Sequence, residues 1–276
     1  MLGLQKNVEK LHKLRISPWR KVSMATWKIV DDSSVHGLLK VNADKVLEYL
    51  AQTNEKSDQK VTLTHVMIKL LGKVIHRYPH ANSFIRFGNL YQREEADIFV
   101  HIAADDHGNE LTGTVIKRAN ELSILEIAAE LSHTASDYKS GNKSEFDQIK
   151  TLLKFLPTFL LRPVLLFIGF FLYSLNLWTP LLGVKKDPFA GIMFTNVGSL
   201  GVDLAYTPLA TYSRVSFLMA MGRVQDCFKE VDGKIIKSNE LYLTTTFDHR
   251  IIDGVHAAKM CNYIRELMDN PSLLDD

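Results

Sequence analysis

Residues 241–260 read LYLTTTFDHRIIDGVHAAKM, and the way that stretch folds decides the rest. Leu241, Leu243, Thr245 and Phe247 alternate with Tyr242, Thr244 and Thr246, so 241–247 predicts a strand with two distinct faces. Beyond it, Ala257, Cys261, Ile264 and Met268 share one helical face, and Asn270-Pro271 ends the helix. His249 therefore stands on a strand-turn-helix joint, with Asp253 four positions later. A rigid joint can hold an imidazole at the mouth of a cleft while the carboxylate orders the turn. Histidine suits removal of a proton from a thiol or hydroxyl because its reference pKa, about 6.5, lies near neutral pH. The same spacing fits a plainer arrangement, with Asp253 capping the final helix beside a half-buried histidine, and the pattern alone leaves both open.

Working outward, the chain mixes strand-like and helix-like stretches. VSMATWKIV (22–30) and VHGLLKV (35–41) read as strands separated by the turn-like DDSS. NADKVLEYLAQT and LTHVMIKLLGKVIHRYP read as helices, the first opened by Asn42 as N-cap and the second ended by Pro79. ADIFVHIAA, the turn DDHGNE and LTGTVIK predict a strand pair, followed by a helix closed at Gly141. GIMFTNVGSLG, SRVSFLMAMGRV and a hairpin at Asp232-Gly233 lead back to the opening stretch. At the other end, Leu4, Val8, Leu11 and Ile16 fall at roughly helical intervals, which predicts an N-terminal helix or arm over 1–20. The pattern implies an α/β fold in one domain spanning 1–276.

Composition narrows the function. With 276 residues and 46% hydrophobic content the chain can bury a substantial core. Its net charge of +2 is spread along the sequence, which gives no nucleic-acid footprint. Cys227 and Cys261 form no C-x-x-C pair, and the N-terminus lacks a secretory signal, so a reduced, cytoplasmic setting is expected. His65, His76, His101 and His107 have no partners at metal-ligand spacing, so no metal is expected.

One segment stands apart. From Pro163 to Val184 there is no charged residue, a length near the roughly 20 residues that cross a bilayer. Lys150, Lys154, Arg162, Lys185 and Lys186 bracket or interrupt it, as basic residues do in membrane-surface helices. If 22–141 and 190–270 share a sheet, a single crossing would separate paired strands. Pro157, Pro163, Gly169 and Pro180 instead predict a broken or hairpin pair of helices over 145–188. Such a pair can dock on a membrane surface through 151–186, line an acyl-chain tunnel, or pack against neighbouring subunits.

TFDHRIIDG resembles the active-site signature of the acyltransferase component of 2-oxo acid dehydrogenase complexes, a family similar in fold to chloramphenicol acetyltransferase. VHGLLKVNADKVLEYL, DIFVHIAADDHGNELTGTVIKRANELSILEIAAEL, FTNVGSLGVDLAYTPL and FLMAMGRV resemble the family's other segments in order. Only residues 1–15 and about 145–188 fall outside the likeness.

The resemblance implies a mixed sheet flanked by helices, here with an inserted hydrophobic helical segment. It also implies an acyltransferase in which His249 takes the proton of a thiol, that of coenzyme A or dihydrolipoamide, and the thiolate attacks a thioester carbonyl. Asp253, followed by Gly254, would order the active-site turn through an N-terminal arginine, best matched by Arg20. The oxyanion donor is commonly a serine in a segment reading roughly T-I-S-N-L-G. Here Thr195-Asn196-Val197-Gly198-Ser199-Leu200-Gly201 has one residue more, which leaves Thr195, Asn196 and Ser199 as candidates. The family forms trimers with sites between subunits, so a homotrimer is implied, with a coenzyme A thioester as substrate. Asp44-Lys45 sits in an amphipathic helical pattern, so no lipoyl group is expected on this chain and a free-standing acyltransferase is. A different class of answer is a non-catalytic trimeric scaffold or membrane adaptor that keeps the fold.

Overall fold

A computed structural model describes residues 4–18, 20–21, 32–103, 111–139, 157–182, 184–231 and 233–275. The strand expected over 22–30, the DDHGNE turn with His107, the helix closure at Gly141, the first part of the hydrophobic stretch and Asp232 lie outside these residues. Among the described residues the N-terminal stretch carries two short strands, β1 (Gln5–Lys6) and β2 (Leu11–Lys13), with helical backbone at Pro18, Arg20 and Lys21. Pairing overrides the helical spacing: β2 runs beside a later strand at Tyr91–Arg93, and β1 beside Leu177–Trp178.

β3 (Ser34–Asn42) leads into α1 (Asp44–Glu55). Asn42 starts that helix by accepting from the Asp44 amide at 2.9 Å, but the cap position itself falls on Ala43. α2 (Leu63–Arg77) opens with the His65 ring accepting from the Thr62 amide at 3.0 Å, which satisfies one otherwise orphaned donor. Gly72 is needed there, because a Cβ would stand 2.6 Å from the backbone of Ala119. The hairpin β4 (Ser83–Arg86) and β5 (Asn89–Arg93) was not expected from the sequence. Its turn puts Phe87 and Gly88 both at positive φ, 46° and 72°, a conformation read in sequences as Asn-Gly or Asp-Gly, not Phe-Gly.

β6 (Ile98–Ala103), β7 (Leu111–Ile116) and α3 (Ile124–Lys139) follow, then α4 (Thr158–Gly169), which continues as a wider helical turn over Phe170–Ser174. The rest is β8 (Leu177–Trp178), β9 (Ile192–Asn196), β10 (Phe217–Met221), β11 (Gln225–Val231), β12 (Lys234–Asp248) and α5 (Gly254–Asp269). β12 organises a seven-stranded mixed sheet, six strands in the order β11-β12-β10-β9-β6-β7 and the seventh, β3, paired to β12 off that path. It pairs antiparallel with β11 along 234–240, with β10 along 243–247 and with β3 along 240–248, while β9 runs parallel to both β10 and β6. α2 and α5 close one face: Val66, Leu70, Val74, Ile264 and Leu267 are buried together with Ile98, Phe194, Met219 and Leu243. That burial is the main stabilising term and holds the end of β12 fixed.

Among the described residues of the hydrophobic stretch, α4 and its wider last turn lead into β8 and a short turn at Pro180–Leu182; the first part of the expected helix pair lies outside them. Leu172 and Tyr173 bury against Val8, Phe84 and Val184. The Asn176 side chain accepts from the Val8 amide at 2.8 Å, and Asp187 takes a bidentate contact from buried Arg93 at 2.7 and 3.0 Å. Among the described residues no helix is long and apolar enough to cross a membrane.

Candidate functional site

β12 ends at Asp248, and the turn to α5 is built by that residue's own groups. The Asp248 carbonyl accepts from the amides of Ile251 and Ile252 at 2.9 Å, and its carboxylate takes Ser33 Oγ, the Arg250 amide and the Arg250 guanidinium. His249 is thereby set at the corner, half-buried, with its amide donating to the Ser33 carbonyl at 3.0 Å. Its Nδ1 lies 2.9 Å from the Ile252 carbonyl. A carbonyl only accepts, so Nδ1 carries the hydrogen and the lone pair of the neutral ring is on Nε2.

Buried Arg20 clamps this corner from the N-terminal side. Its Nη1 donates to the His249 carbonyl at 3.3 Å and its Nη2 to Asp253 Oδ2 at 2.8 Å. Ser17 Oγ accepts from the Arg20 amide at 3.2 Å and fixes the local backbone. Asp253 is also the N-cap of α5, accepting from the His256 amide at 3.0 Å. Burial pushes its carboxyl up, but the His256 amide and the positive charge beside it outweigh that and leave it below the usual carboxylate range. Gly254 opens the helix with no atom within 4 Å of a Cβ placed there, so its lack of a side chain is not a packing requirement.

Two histidines that the sequence did not single out complete this end. His256 Nδ1 lies 2.8 Å from Asp253 Oδ1 and 3.3 Å from Arg20 Nη2. The nitrogen cannot donate to one and accept from the other at once; the shorter contact with the carboxylate decides, so Nδ1–H donates to Asp253. His80 stacks on His256 with ring centroids 3.9 Å apart, and its Nε2 is buried without a hydrogen-bond partner among the described residues. Burial, then the nearby His256 and Arg20, lower the His80 pKa to about 4. These residues escape motif reading because only the fold brings position 80 to position 256.

The candidate oxyanion donors lie elsewhere. Asn196 ends β9; its Nδ2 donates to Thr64 Oγ1 at 2.9 Å, and its Oδ1 accepts from the Ser199 amide at 3.0 Å. Ser199 is exposed, and its hydroxyl donates to the Asn196 carbonyl at 2.8 Å. Thr195 pairs with Ala220 on β10. Thr64, on α2, is a third hydroxyl at this end that the sequence pattern did not suggest. The sheet register separates the two groups: Phe247 pairs with Phe217, which pairs with Ile192, so His249 lies beyond the N-terminal end of β9 and Asn196 at its C-terminal end. Six residues of strand at about 3.3 Å each put them roughly 20 Å apart within one chain. The fold thus brings together Arg20, His249, Asp253 and Gly254, and separately Thr195, Asn196 and Ser199.

A cleft of about 790 Å³ between the arm and residues 185–187, lined by Asn7, Arg93, Trp178 and Lys186, includes neither group. Among the described residues no three His, Cys, Asp or Glu side chains are grouped as metal ligands.

Comparison with known proteins shows what the chain as a whole is similar to. Among curated relatives, the acetyltransferase component of the pyruvate dehydrogenase complex of Bacillus subtilis is 26% identical over 222 residues, 79% of this chain. Its Staphylococcus aureus counterpart is 27% identical over 223 residues, 78% of this chain. The chain spans 40% of the length of each of these relatives. Among solved structures, a probable dihydrolipoamide acetyltransferase from Listeria monocytogenes superposes with a TM-score of 0.65 at 18% identity, covering 94% of both chains. Chloramphenicol acetyltransferase gives 0.51 at 13%, covering 94% of this chain and 100% of that one, so the fold is shared. The profile of the 2-oxoacid dehydrogenases acyltransferase catalytic domain matches residues 8–150 and 188–275, passing over 151–187, and the chain belongs to that family.

Proposed function

We propose that the protein transfers an acyl group between a coenzyme A thioester and a thiol acceptor of the dihydrolipoyl kind, with His249 as general base and a homotrimer as the working unit. The observation that carries this reading is the Nδ1 contact of His249 with the Ile252 carbonyl, which leaves Nε2 as the basic nitrogen. Nε2 takes the proton of the acceptor thiol as its sulfur attacks the thioester carbonyl. The tetrahedral intermediate collapses, the coenzyme A sulfur leaves with the electron pair of the broken C–S bond, and the imidazolium returns the proton to it. Arg20 and Asp253 act by position: they hold the backbone of His249 and the first turn of α5.

The negative oxygen of the intermediate requires a donor that Arg20 and Asp253 do not supply. Asn196, with Thr195, Ser199 and Thr64 about it, fits that role when a neighbouring chain presents it to His249. The roughly 20 Å between the two groups within one chain supports a site completed by a second subunit. The exposed run Leu200, Val202, Leu204 and Tyr206 following Asn196 supports a contact surface there. The relatives are named for acetyl transfer to a dihydrolipoyllysine residue, which makes acetyl-coenzyme A and free dihydrolipoamide the first pair to assay.

In that assay His249→Ala should retain coenzyme A binding and lose acyl transfer; equal behaviour of parent and variant would favour the scaffold reading. Residues 151–186 take no part in the transfer step, and we read them as placing the protein at a membrane surface.

A further inference from the structure

The helix α4 is clamped on one side and bare on the other. Leu172 and Tyr173 are buried, the Tyr212 carbonyl lies 3.1 Å from where a Gly169 Cβ would stand, and Arg86 ties the carbonyls of Ser174 and Leu175 at 2.6 and 3.2 Å. Outward, Phe159, Leu166, Phe167 and Phe170 recur at helical spacing and are 77%, 51%, 62% and 46% exposed. Phe87, from the β4–β5 turn, meets Phe170 edge-on with ring centroids 6.4 Å apart and widens the row. Single exposed apolar residues are ordinary, but a row of large aromatic side chains on a fixed helix marks a surface that something covers.

The sequence around it points to the occupant. Between Asp147 and Asp187 there is no acidic residue, while Lys150, Lys154, Arg162, Lys185 and Lys186 are all basic. A second copy meeting this face with its own would set like charge against like. The family profile passes over this stretch, from residue 150 to 188, so the face is not among the residues the family model matches. Anionic lipid headgroups complement both the apolar row and Arg162, which is exposed in the same helix. At 12 residues α4 is about 18 Å long, and with Pro163 inside it suits lying in the interface rather than crossing it.

We propose that the Phe159–Phe170 face of α4 seats the protein in the headgroup region of an anionic bilayer without spanning it. The proposal rests on the membrane-surface reading above and is independent of the chemistry at His249.

Sedimentation of the full chain with vesicles tests it, using phosphatidylcholine alone and phosphatidylcholine with about one-third phosphatidylserine. The parent should bind the anionic vesicles, and Arg162→Gln should weaken that binding by about fivefold. The triple variant Phe159→Ser, Phe167→Ser, Phe170→Ser should lower binding by at least about a thousandfold, since each buried phenyl ring is worth tenfold or more. Its thermal midpoint, its oligomer mass without vesicles and its acyl transfer to a soluble thiol should match the parent. The proposal is overturned if the parent ignores both vesicles or if the triple variant binds as the parent does. A fall in oligomer mass, or in thermal midpoint, in the triple variant would overturn it too, by showing that another copy or this chain's own residues cover the face. Vesicle binding without any transfer activity would defeat the enzymatic reading alone, and transfer without vesicle binding would defeat only the docking.

Discussion

The two ends of the sheet that hold the candidate catalytic groups are built on opposite plans. At the His249 end, side chains from four separated parts of the chain converge: Arg20, Ser33, His80 and the run Asp248–His256. Nearly every polar atom there has a fixed partner, and the histidine is confined to one tautomer. At the Asn196 end a strand runs out into a short turn whose backbone is tied to Met221 and Arg223, the side chain of Asn196 reaches only Thr64 and Ser199 among the described residues, and Ser199 and Leu200 are exposed. A base has to be oriented before its substrate arrives, which a closed network achieves. A donor that meets a substrate held by another chain has to sit on the outside of its own. The contrast is what a site divided between subunits requires.

The strongest way to break that contrast is at the base. His249→Ala should lower acyl transfer by about 10²- to 10⁴-fold with only a small fall in thermal midpoint, because Asp248 and Arg20 hold the turn beside the one bond from the ring to the Ile252 carbonyl. Steady-state rates with acetyl-coenzyme A and dihydrolipoamide check it; a variant retaining a tenth of the parent rate removes His249 from the reaction. Next in size is acid. The folded chain protonates His80 only near pH 4, the unfolded chain near 6.5, so the unfolded state takes up protons first as pH falls. The stability that comes from neutral His80 is whole above about pH 6.5 and is lost towards pH 4, about 3 kcal/mol in all. Asp253, held below its usual range, loses its contribution only at lower pH, so the window between 6.5 and 4 belongs to histidine at this end. Urea unfolding of parent and His80→Phe across that window reads the difference; parallel curves would show that the buried ring does not couple to the fold.

How far the sequence could reveal these two ends follows from the range of the interactions involved. The joint at His249 was legible because a strand of period two and a helix of period 3.6 flank it within 28 residues, and both patterns are local. β12 is nonetheless longer than its alternation suggested: Lys234–Lys237 is exposed on both faces and lacks the two-faced signal. The β4–β5 hairpin was hidden by Phe87 in a left-handed conformation, and the N-terminal strands by apolar spacing that happened to match a helix. Arg20 was reached only through the family resemblance, since nothing local links position 20 to position 253. The neighbours of the donor were out of reach for the same reason, Thr64 being 132 residues from Asn196.

A smaller effect sharpens the division between chains. Asn196→Ala should cost about 10²-fold in rate if its amide meets the oxyanion. Mixing that variant with His249→Ala and allowing subunits to exchange should then restore about one quarter of parent activity, the share of sites that draw an intact His249 and an intact Asn196 from different chains. Sites contained in one chain would stay dead in any mixture.

The smallest effect tests what Arg20 does for the His249 end. The Arg20–Asp253 pair is largely buried on the arginine side, yet the Asp253 side chain is 24% exposed and already satisfied in part by the α5 amide. Solvent screening discounts the charge attraction, so a double-mutant cycle with Arg20→Met and Asp253→Asn should give a coupling of about 1 kcal/mol in unfolding stability. Arg20→Met alone should lose more in rate than Asp253→Asn, because only the arginine also holds the His249 carbonyl. The excess should appear in kcat with KM unchanged, as expected when a base is misaligned and substrate binding is not. If the two single variants lose equal rate, the contact with the His249 carbonyl contributes nothing, and the arginine serves the helix cap alone.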